Sequence, residues 1–276
     1  MSIRHELNGT VYYVYNDKPK LPVIIMIHGY RGTHHGLELI AKRLDGYRVV
    51  IPDLPGFGES KPLKNEHSLK NYVKWLGEFI DSLNLSTPPI LLGHSFGSII
   101  TSSYASENPN KITKLILVNP IGAPALKGPK AIMTRLALFY YWLGRVLPER
   151  MAMRWLSSKP TVMIMSTTMA ETSDKDLRKF IHNQHLTHFS SFANSKVAAE
   201  AFKTSVRHNV RDVAQIVTVP TLIIAGEDDN ITPILEQREL TKLFPNAKLE
   251  IIKGVGHLTH YETPDSVADA IKQFAP

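Results

Sequence analysis

The 276-residue sequence predicts an α/β protein: a mostly parallel central sheet with helices on both faces and one inserted helical cap. Short apolar, β-branched runs alternate with amphipathic stretches over the first 120 residues. The alternation stops between 121 and 205 and then resumes. Apolar residues make up 43% and charged residues 21%, the balance of a globular chain. The expected organisation is an N-terminal core part (1–120), a cap (121–205) and a C-terminal core part (206–276).

Two runs, 4–7 and 10–15, flank Asn8-Gly9, the dipeptide that best accommodates the two positive φ angles of a tight hairpin. The continuous apolar run 23–28 fits a strand covered on both faces. A short helix is expected over 37–44 and a strand over 47–51. Between 68 and 83, Tyr72, Val73, Leu76, Phe79, Ile80 and Leu83 recur at helical spacing. A strand at 90–92, a helix at 96–107 and a strand at 115–118 complete the first half. Beyond the cap come a strand at 221–225, a helix at 234–243, a strand at 249–252 and a helix at 264–274. Thr263 stands where it can cap that last helix, and Pro264 suits its first turn.

The cap segment holds six of the eight methionines, and Trp142 and Trp155. Between 122 and 160 it carries Lys127, Lys130, Arg135, Arg145, Arg150, Arg154 and Lys159 against Glu149 alone, which is most of the net charge of +7. Charge so concentrated predicts one basic face, not a nucleic-acid surface. Phe139, Tyr140, Tyr141, Trp142, Met163, Met165 and Met169 suggest an apolar pocket lining, or the packing of cap on core. The absence of cysteine excludes disulfides, thiolate metal sites and a Cys nucleophile. The polar N-terminus lacks an apolar leader, and the apolar stretch 136–144 is too short to span a bilayer, so a cytoplasmic protein is expected.

Gly93-His94-Ser95-Phe96-Gly97 sits between a predicted strand and a predicted helix. A nucleophile turning sharply there needs neighbours without Cβ atoms, and the helix N-terminus behind it offers free N–H groups to an oxyanion. A serine hydroxyl also needs a base, and the base an orienting carboxylate. His257 follows Gly254-Val255-Gly256, and Asp228 and Asp229 follow the preceding strand. All three groups lie just past C-terminal strand ends, which open onto one crevice in such sheets.

On these residues the chain resembles the α/β-hydrolase superfamily, serine-nucleophile branch, with an inserted cap of carboxylesterase/lipase type. The resemblance extends over His28-Gly29-Tyr30, the run Asp53-Leu54-Pro55-Gly56-Phe57-Gly58-Glu59-Ser60, Gly93 to Gly97, the Gly226, Asp229 and Pro233 spacing, and Gly256-His257. It implies an α/β-hydrolase fold with catalytic Ser95, Asp229 and His257, oxyanion donors at the backbone N–H groups of Tyr30 and Phe96, and no metal or organic cofactor. It implies an acyl-enzyme route on a small ester, with no nucleic-acid partner. His94, Tyr140, Trp142 and Leu258 are the expected substrate-pocket residues. Hydrolases of carbon–carbon bonds in this fold usually carry Asn before the serine and Trp after the histidine, where this chain has His94 and Leu258.

Other functions remain open at this level. They are carbon–carbon or thioester cleavage of a small metabolite, a low-turnover small-molecule receptor, and a lipase whose basic cap touches an anionic membrane or substrate. His182, His185 and His188 drift around a helix without a carboxylate or thiolate, so cap-surface or pocket histidines are expected there and no metal site. His34 and His35 read as loop residues near the pocket mouth, Asp53 as structural, and His260 as the rival of His257.

Overall fold

A computed structural model describes residues 2–126 and 131–276. Lys127 and Lys130 of the basic segment lie outside the described residues. Eight strands form one sheet: β1 (Ser2–Leu7), β2 (Thr10–Tyr15), β3 (Val23–Ile27), β4 (Arg48–Pro52), β5 (Ile90–His94), β6 (Lys114–Val118), β7 (Thr221–Gly226) and β8 (Ala247–Ile252). Their order is β1-β2-β4-β3-β5-β6-β7-β8. The β1–β2 hairpin turns at Asn8 and Gly9, with φ of 53° and 82°, as the dipeptide predicts. β1, β2 and β4 pair antiparallel; from β4 to β8 every pair is parallel.

The helices are α1 (Glu38–Ala41), α2 (Leu69–Ser82), α3 (Phe96–Glu107), α4 (Ala131–Val146), α5 (Glu149–Leu156), α6 (Lys159–Met169), α7 (Lys175–His188), α8 (Ser195–Arg207), α9 (Ile234–Leu243), α10 (Thr259–Glu262) and α11 (Pro264–Phe274). Strand side chains alternate between two cores. Ile25, Ile27, Leu91, Leu115 and Leu117 meet α2 and α3 on one face. Ile24, Met26, Leu92, Ile116 and Val118 meet α1 and α11 on the other. This double burial explains why the parallel strands read as unbroken apolar runs.

Two expectations need correction. The helix expected over 37–44 shrinks to α1 preceded by a 3-10 turn at His34–Gly36, although Leu37, Ile40, Ala41 and Leu44 are all buried. Burial of those four residues takes only about one turn, and the chain then turns at Asp45-Gly46 into β4. Thr263 does occupy the N-cap position of α11 but makes no capping bond, because its hydroxyl donates back to Thr259 O in α10.

The order in which strands are added reverses at β3: β4 lies on one side of it and β5 on the other, all three parallel. Ligand crevices open at such a switch point, beyond the C-terminal strand ends. The loops after β3 and β5 therefore face each other there. Among the described residues, the α-helices α4 to α8 run between β6 and β7. Residues between α7 and α8 are stitched to the loop after β4. Gly58 N–H donates to Ser191 O (2.7 Å), Ala193 N–H donates to Gly56 O (2.9 Å), and Phe57 bridges to Phe192.

The glycine requirement at the β5–α3 turn is steric. A Cβ on Gly97 would stand 2.2 Å from Ile27 O, and one on Gly93 would stand 2.6 Å from Gly97 O. Alanine is the better helix former by about 1 kcal/mol, yet the clash reverses that sign. Gly97→Ala is expected to cost more than about 3 kcal/mol in chemical denaturation. Gly46→Ala, with nothing near its Cβ, should stay within about 0.5 kcal/mol. Equal costs would show that α3 does not need its close approach to β3.

Candidate active site

Ser95 ends the turn from β5 into α3 with φ 51° and ψ −116°, a left-handed conformation that costs a non-glycine residue about 1–3 kcal/mol. The strain is held from two sides. Ser95 N–H donates to Val118 O of β6 (3.1 Å), and Ser98 Oγ donates to Ser95 O (2.5 Å). Ser98 Oγ also accepts from Ile121 N–H (3.2 Å), tying the elbow to the start of the helical insert. The Ser98 hydroxyl thus braces the elbow.

His257 Nε2 lies 3.0 Å from Ser95 Oγ, and its Nδ1 lies 2.8 Å from Asp229 Oδ2. A carboxylate only accepts, so Nδ1 carries the proton and Nε2 accepts from the serine hydroxyl. Asp228, one residue earlier, is exposed, while Asp229 and His257 are both buried. The structure brings Ser95, His257 and Asp229 together, with Asp229 as the inward carboxylate.

Asp229 is held by more than the histidine. Its Oδ1 accepts from the backbone N–H groups of Ile231 and Thr232, both at 2.8 Å. Its Oδ2 also accepts from Asn119 Nδ2 (2.8 Å) and the Thr232 hydroxyl. Burial alone would raise this carboxyl, but the facing His257 and these donors outweigh it and hold the group well below the usual carboxylate range. Thr259 Oγ donates to Asn119 Oδ1 (2.6 Å) and fixes the amide orientation. Asn119, Thr232 and Thr259 went unnoticed in the sequence. The available signal was Asn119 at a strand end, since asparagine tolerates the positive φ (44°) it adopts there.

The loop after β3 presses on the elbow: a Cβ on Gly29 would meet Ser95 Cβ and His94 Nδ1 at 3.2 Å. His28 orients this loop by accepting from Leu54 N–H through Nε2 (2.9 Å), with Nδ1 on Gly29 O (2.9 Å). Gly32 N–H closes a turn on Gly29 O (3.0 Å) and puts Arg31 at φ 59°, where type II turns favour glycine. Arg31 compensates through its side chain, also unnoticed in the sequence. Its guanidinium is buried and donates to Phe189 O (2.7 Å), Leu156 O (2.9 Å) and Tyr141 Oη (3.3 Å), all on the insert. The Tyr30 N–H begins this turn, and the Phe96 N–H is the first of α3, whose opening N–H groups have no partner within the helix.

Of the expected pocket residues, His94 and Leu258 are buried at the site. The His94 ring lies 5.5 Å from that of His257 and 4.2 Å from that of His260. Burial, then the neighbouring His257, lowers His94 to about 3, so it stays neutral. His94 Nε2 and His260 Nδ1 are buried without a hydrogen-bond partner among the described residues. His260 makes no bond to Ser95 or Asp229, so it is not the base position. Tyr140 is turned into the insert, its hydroxyl on Trp155 O (3.1 Å) and Thr161 Oγ (3.2 Å). Trp142 is not brought to the site. Tyr141 and Gly144 face inward on α4, so Trp142 rotates outward and stacks on Phe139 (5.6 Å).

The histidines of α7 make contacts of their own. His182 and His185 both bond Ser166 Oγ at 2.7 Å, and His188 stacks on His35 (4.0 Å). Asp53 accepts from the His34 backbone N–H (2.7 Å) and from Glu59 N–H (3.0 Å), bracing its loop as expected. No group of three or more metal-ligating side chains gathers among the described residues.

A family model described as alpha/beta hydrolase fold matches residues 22–264, and the chain belongs to that family. It is 26% identical to Lipase 1 of Psychrobacter immobilis over 259 residues, covering 91% of this chain and 76% of that one. It is 24% identical to a monoacylglycerol lipase of Mus musculus over 287 residues, covering 99% and 82%. Among solved structures, the enol-lactonase of Burkholderia xenovorans LB400 superposes with a TM-score of 0.80 at 16% identity, with 99% of both chains covered.

One carboxyl over the site has the opposite shift to Asp229. Burial, then the Glu171 carboxylate, pushes Glu262 up to about 7, and its Oε1 lacks a partner. Glu171 also packs over Gly256, where a Cβ would be 3.0 Å from its Oε2. A raised carboxyl binds its proton more tightly folded than unfolded, so stability falls as pH rises from about 4.5 to about 7. Glu262→Gln should therefore raise Tm at pH 8 and leave it nearly unchanged at pH 5. A gain of equal size at both values would contradict this account of Glu262.

Proposed function

We propose that the chain is a serine hydrolase of carboxylic esters working through an acyl-enzyme. The observation that carries this reading is the continuous hydrogen-bonded line from Ser95 Oγ through His257 to buried Asp229 at a strained strand–helix turn. The lipases among its relatives support the substrate class.

In this reading Ser95 Oγ attacks the ester carbonyl carbon while His257 Nε2 takes the hydroxyl proton. The imidazolium faces Asp229, whose negative charge stabilises it. Charge on the carbonyl oxygen is received by the Tyr30 and Phe96 N–H groups, and the α3 dipole adds to them. The tetrahedral intermediate collapses, and His257 returns the proton to the leaving alcohol. A water, deprotonated by the same nitrogen, then attacks the acyl carbon and releases the acid and Ser95. The insert, residues 121–205, acts as a cap over this site, joined to the oxyanion loop through Arg31 and Tyr141. His94 and Leu258 line its inner wall.

The neutral His94 behind His257 matches an ester hydrolase: a second cation there would oppose formation of the imidazolium. A carbon–carbon hydrolase would be expected to carry a different pair at these positions, and no observation favours the receptor reading over turnover.

A fluorophosphonate probe should label the protein once, and Ser95→Ala should abolish labelling. Persistent labelling of that variant would remove Ser95 as nucleophile. Asp229→Asn should slow acylation by an aryl ester on the order of 10⁴-fold, whereas Asp228→Asn should change it by less than about tenfold. The reverse order would shift the acid by one residue. Steady turnover of the ester, beyond a single-turnover burst, distinguishes the enzyme from a receptor.

A further inference from the structure

The insert has two faces of opposite use. On α4, Tyr141 packs inward on Tyr30 of the oxyanion loop (5.7 Å between rings). The outer face of the same helix carries Ile132, Leu136, Phe139 and Val146 at i, i+4, i+7 and i+14, with Trp142 beside them. The patch continues onto α5, where Trp155 lies 5.3 Å from the Tyr140 ring. Ile132, Leu136, Phe139, Trp142, Val146 and Trp155 are 46–68% exposed. Isolated exposed apolar residues are ordinary, but six that share one pair of helices mark a contact surface.

The charges around the patch select the partner. Arg135 and Arg145 stand on α4, Arg150 and Arg154 on α5, and Lys159 opens α6; all five are exposed. Among the described residues none of them pairs with a carboxylate. The one acid of that stretch, Glu149, is taken up by Ser195, accepting from its N–H (2.8 Å) and Oγ (2.6 Å). A second copy of the chain docking symmetrically would bring this basic set against itself, which opposes self-association.

We infer that the outer face of α4 and α5 docks on an anionic phospholipid surface. An aromatic and aliphatic stripe bordered by arginines is the pattern of a helix lying in a membrane interface, with the rings at headgroup level and the guanidinium groups on phosphates. Docking would set the roof of the candidate site against the lipid, so that esters drawn from the bilayer meet the protein there. Docking does not depend on the proposed chemistry; only the meeting of bilayer esters with the site rests on it.

The test is flotation with vesicles of equimolar phosphatidylglycerol and phosphatidylcholine, against vesicles of phosphatidylcholine alone, at low and high salt. The native protein should float with the anionic vesicles at low salt, bind neutral ones far less, and dissociate as salt rises. Replacing both Arg150 and Arg154 by Gln should weaken partitioning about 25-fold, from about fivefold for each charge. Leu136→Glu with Phe139→Glu should abolish it. If that pair fails to fold, tryptophan fluorescence of the native protein still decides. Trp75 is buried in the core, so a vesicle-induced blue shift quenched by brominated lipid reports Trp142 and Trp155. Ser95→Ala should bind the same vesicles equally, which separates failure of the surface from failure of the esterase reading. Equal partitioning to neutral and anionic vesicles, or none to either, overturns the inference. So does a concentration-dependent dimer that Leu136→Glu dissolves, which would assign the face to a second copy.

Discussion

The arrangement at the candidate site depends on a carboxylate that is buried and keeps its charge. Removing a carboxylate from water costs several kcal/mol, and only well-directed donors offset that cost. Asp229 has five: two backbone N–H groups, an amide, a hydroxyl and an imidazole. Hydrogen bonds to a charged group contribute about 1.5–3 kcal/mol each, so the set is sufficient. The donors come from distant parts of the chain. Asn119 follows β6, Thr232 follows β7, and His257 and the Thr259 that fixes Asn119 follow β8. The carboxylate thus holds three strand ends in register, and with them the histidine that faces Ser95.

The sheet supplies the other half of the site. β3 and β5 are neighbours at the switch point, so the turn at Tyr30 and the elbow at Ser95 meet beyond their ends. Each turn contains a non-glycine residue at positive φ, Arg31 and Ser95. Both strains are held by bonds that reach the insert or its first residue: the Arg31 guanidinium bonds Phe189 O and Leu156 O, and Ser98 bonds Ile121 N–H. The helical block is thereby coupled to both turns, so its placement and the geometry of the site are set together.

Much of this was legible in the sequence, for reasons that differ by residue. The helices over 96–107, 234–243 and 264–274 coincide with α3, α9 and α11, because glycine or proline punctuates their starts. The Asn8-Gly9 hairpin and the doubly buried strands follow from local backbone preference and apolar runs. Ser95, His257 and the pair Asp228-Asp229 stand out because each follows a predicted strand end, and the family resemblance singles out Asp229 of the two. Tertiary partners were not legible. Arg31 reads as a surface charge until the insert is folded over it, and Asn119 reads as the end of a strand. Composition points Trp142 to the pocket, but rotation by one residue from Tyr141 turns it to the outer surface. The basic segment was visible as charge; the apolar stripe it borders emerges only once α4 is wound.

Whether Asp229 holds its charge can be measured directly. With the aspartate side-chain carboxyls labelled with carbon-13, the Asp229 resonance, assigned by its loss in Asp229→Asn, can be followed by NMR from neutral pH down to the acid limit of the fold. It should stay at its ionised position through and below pH 3.8, the ordinary carboxyl value. A midpoint for Asp229 at or above 3.8 would contradict the account, because burial would then have outweighed the five donors.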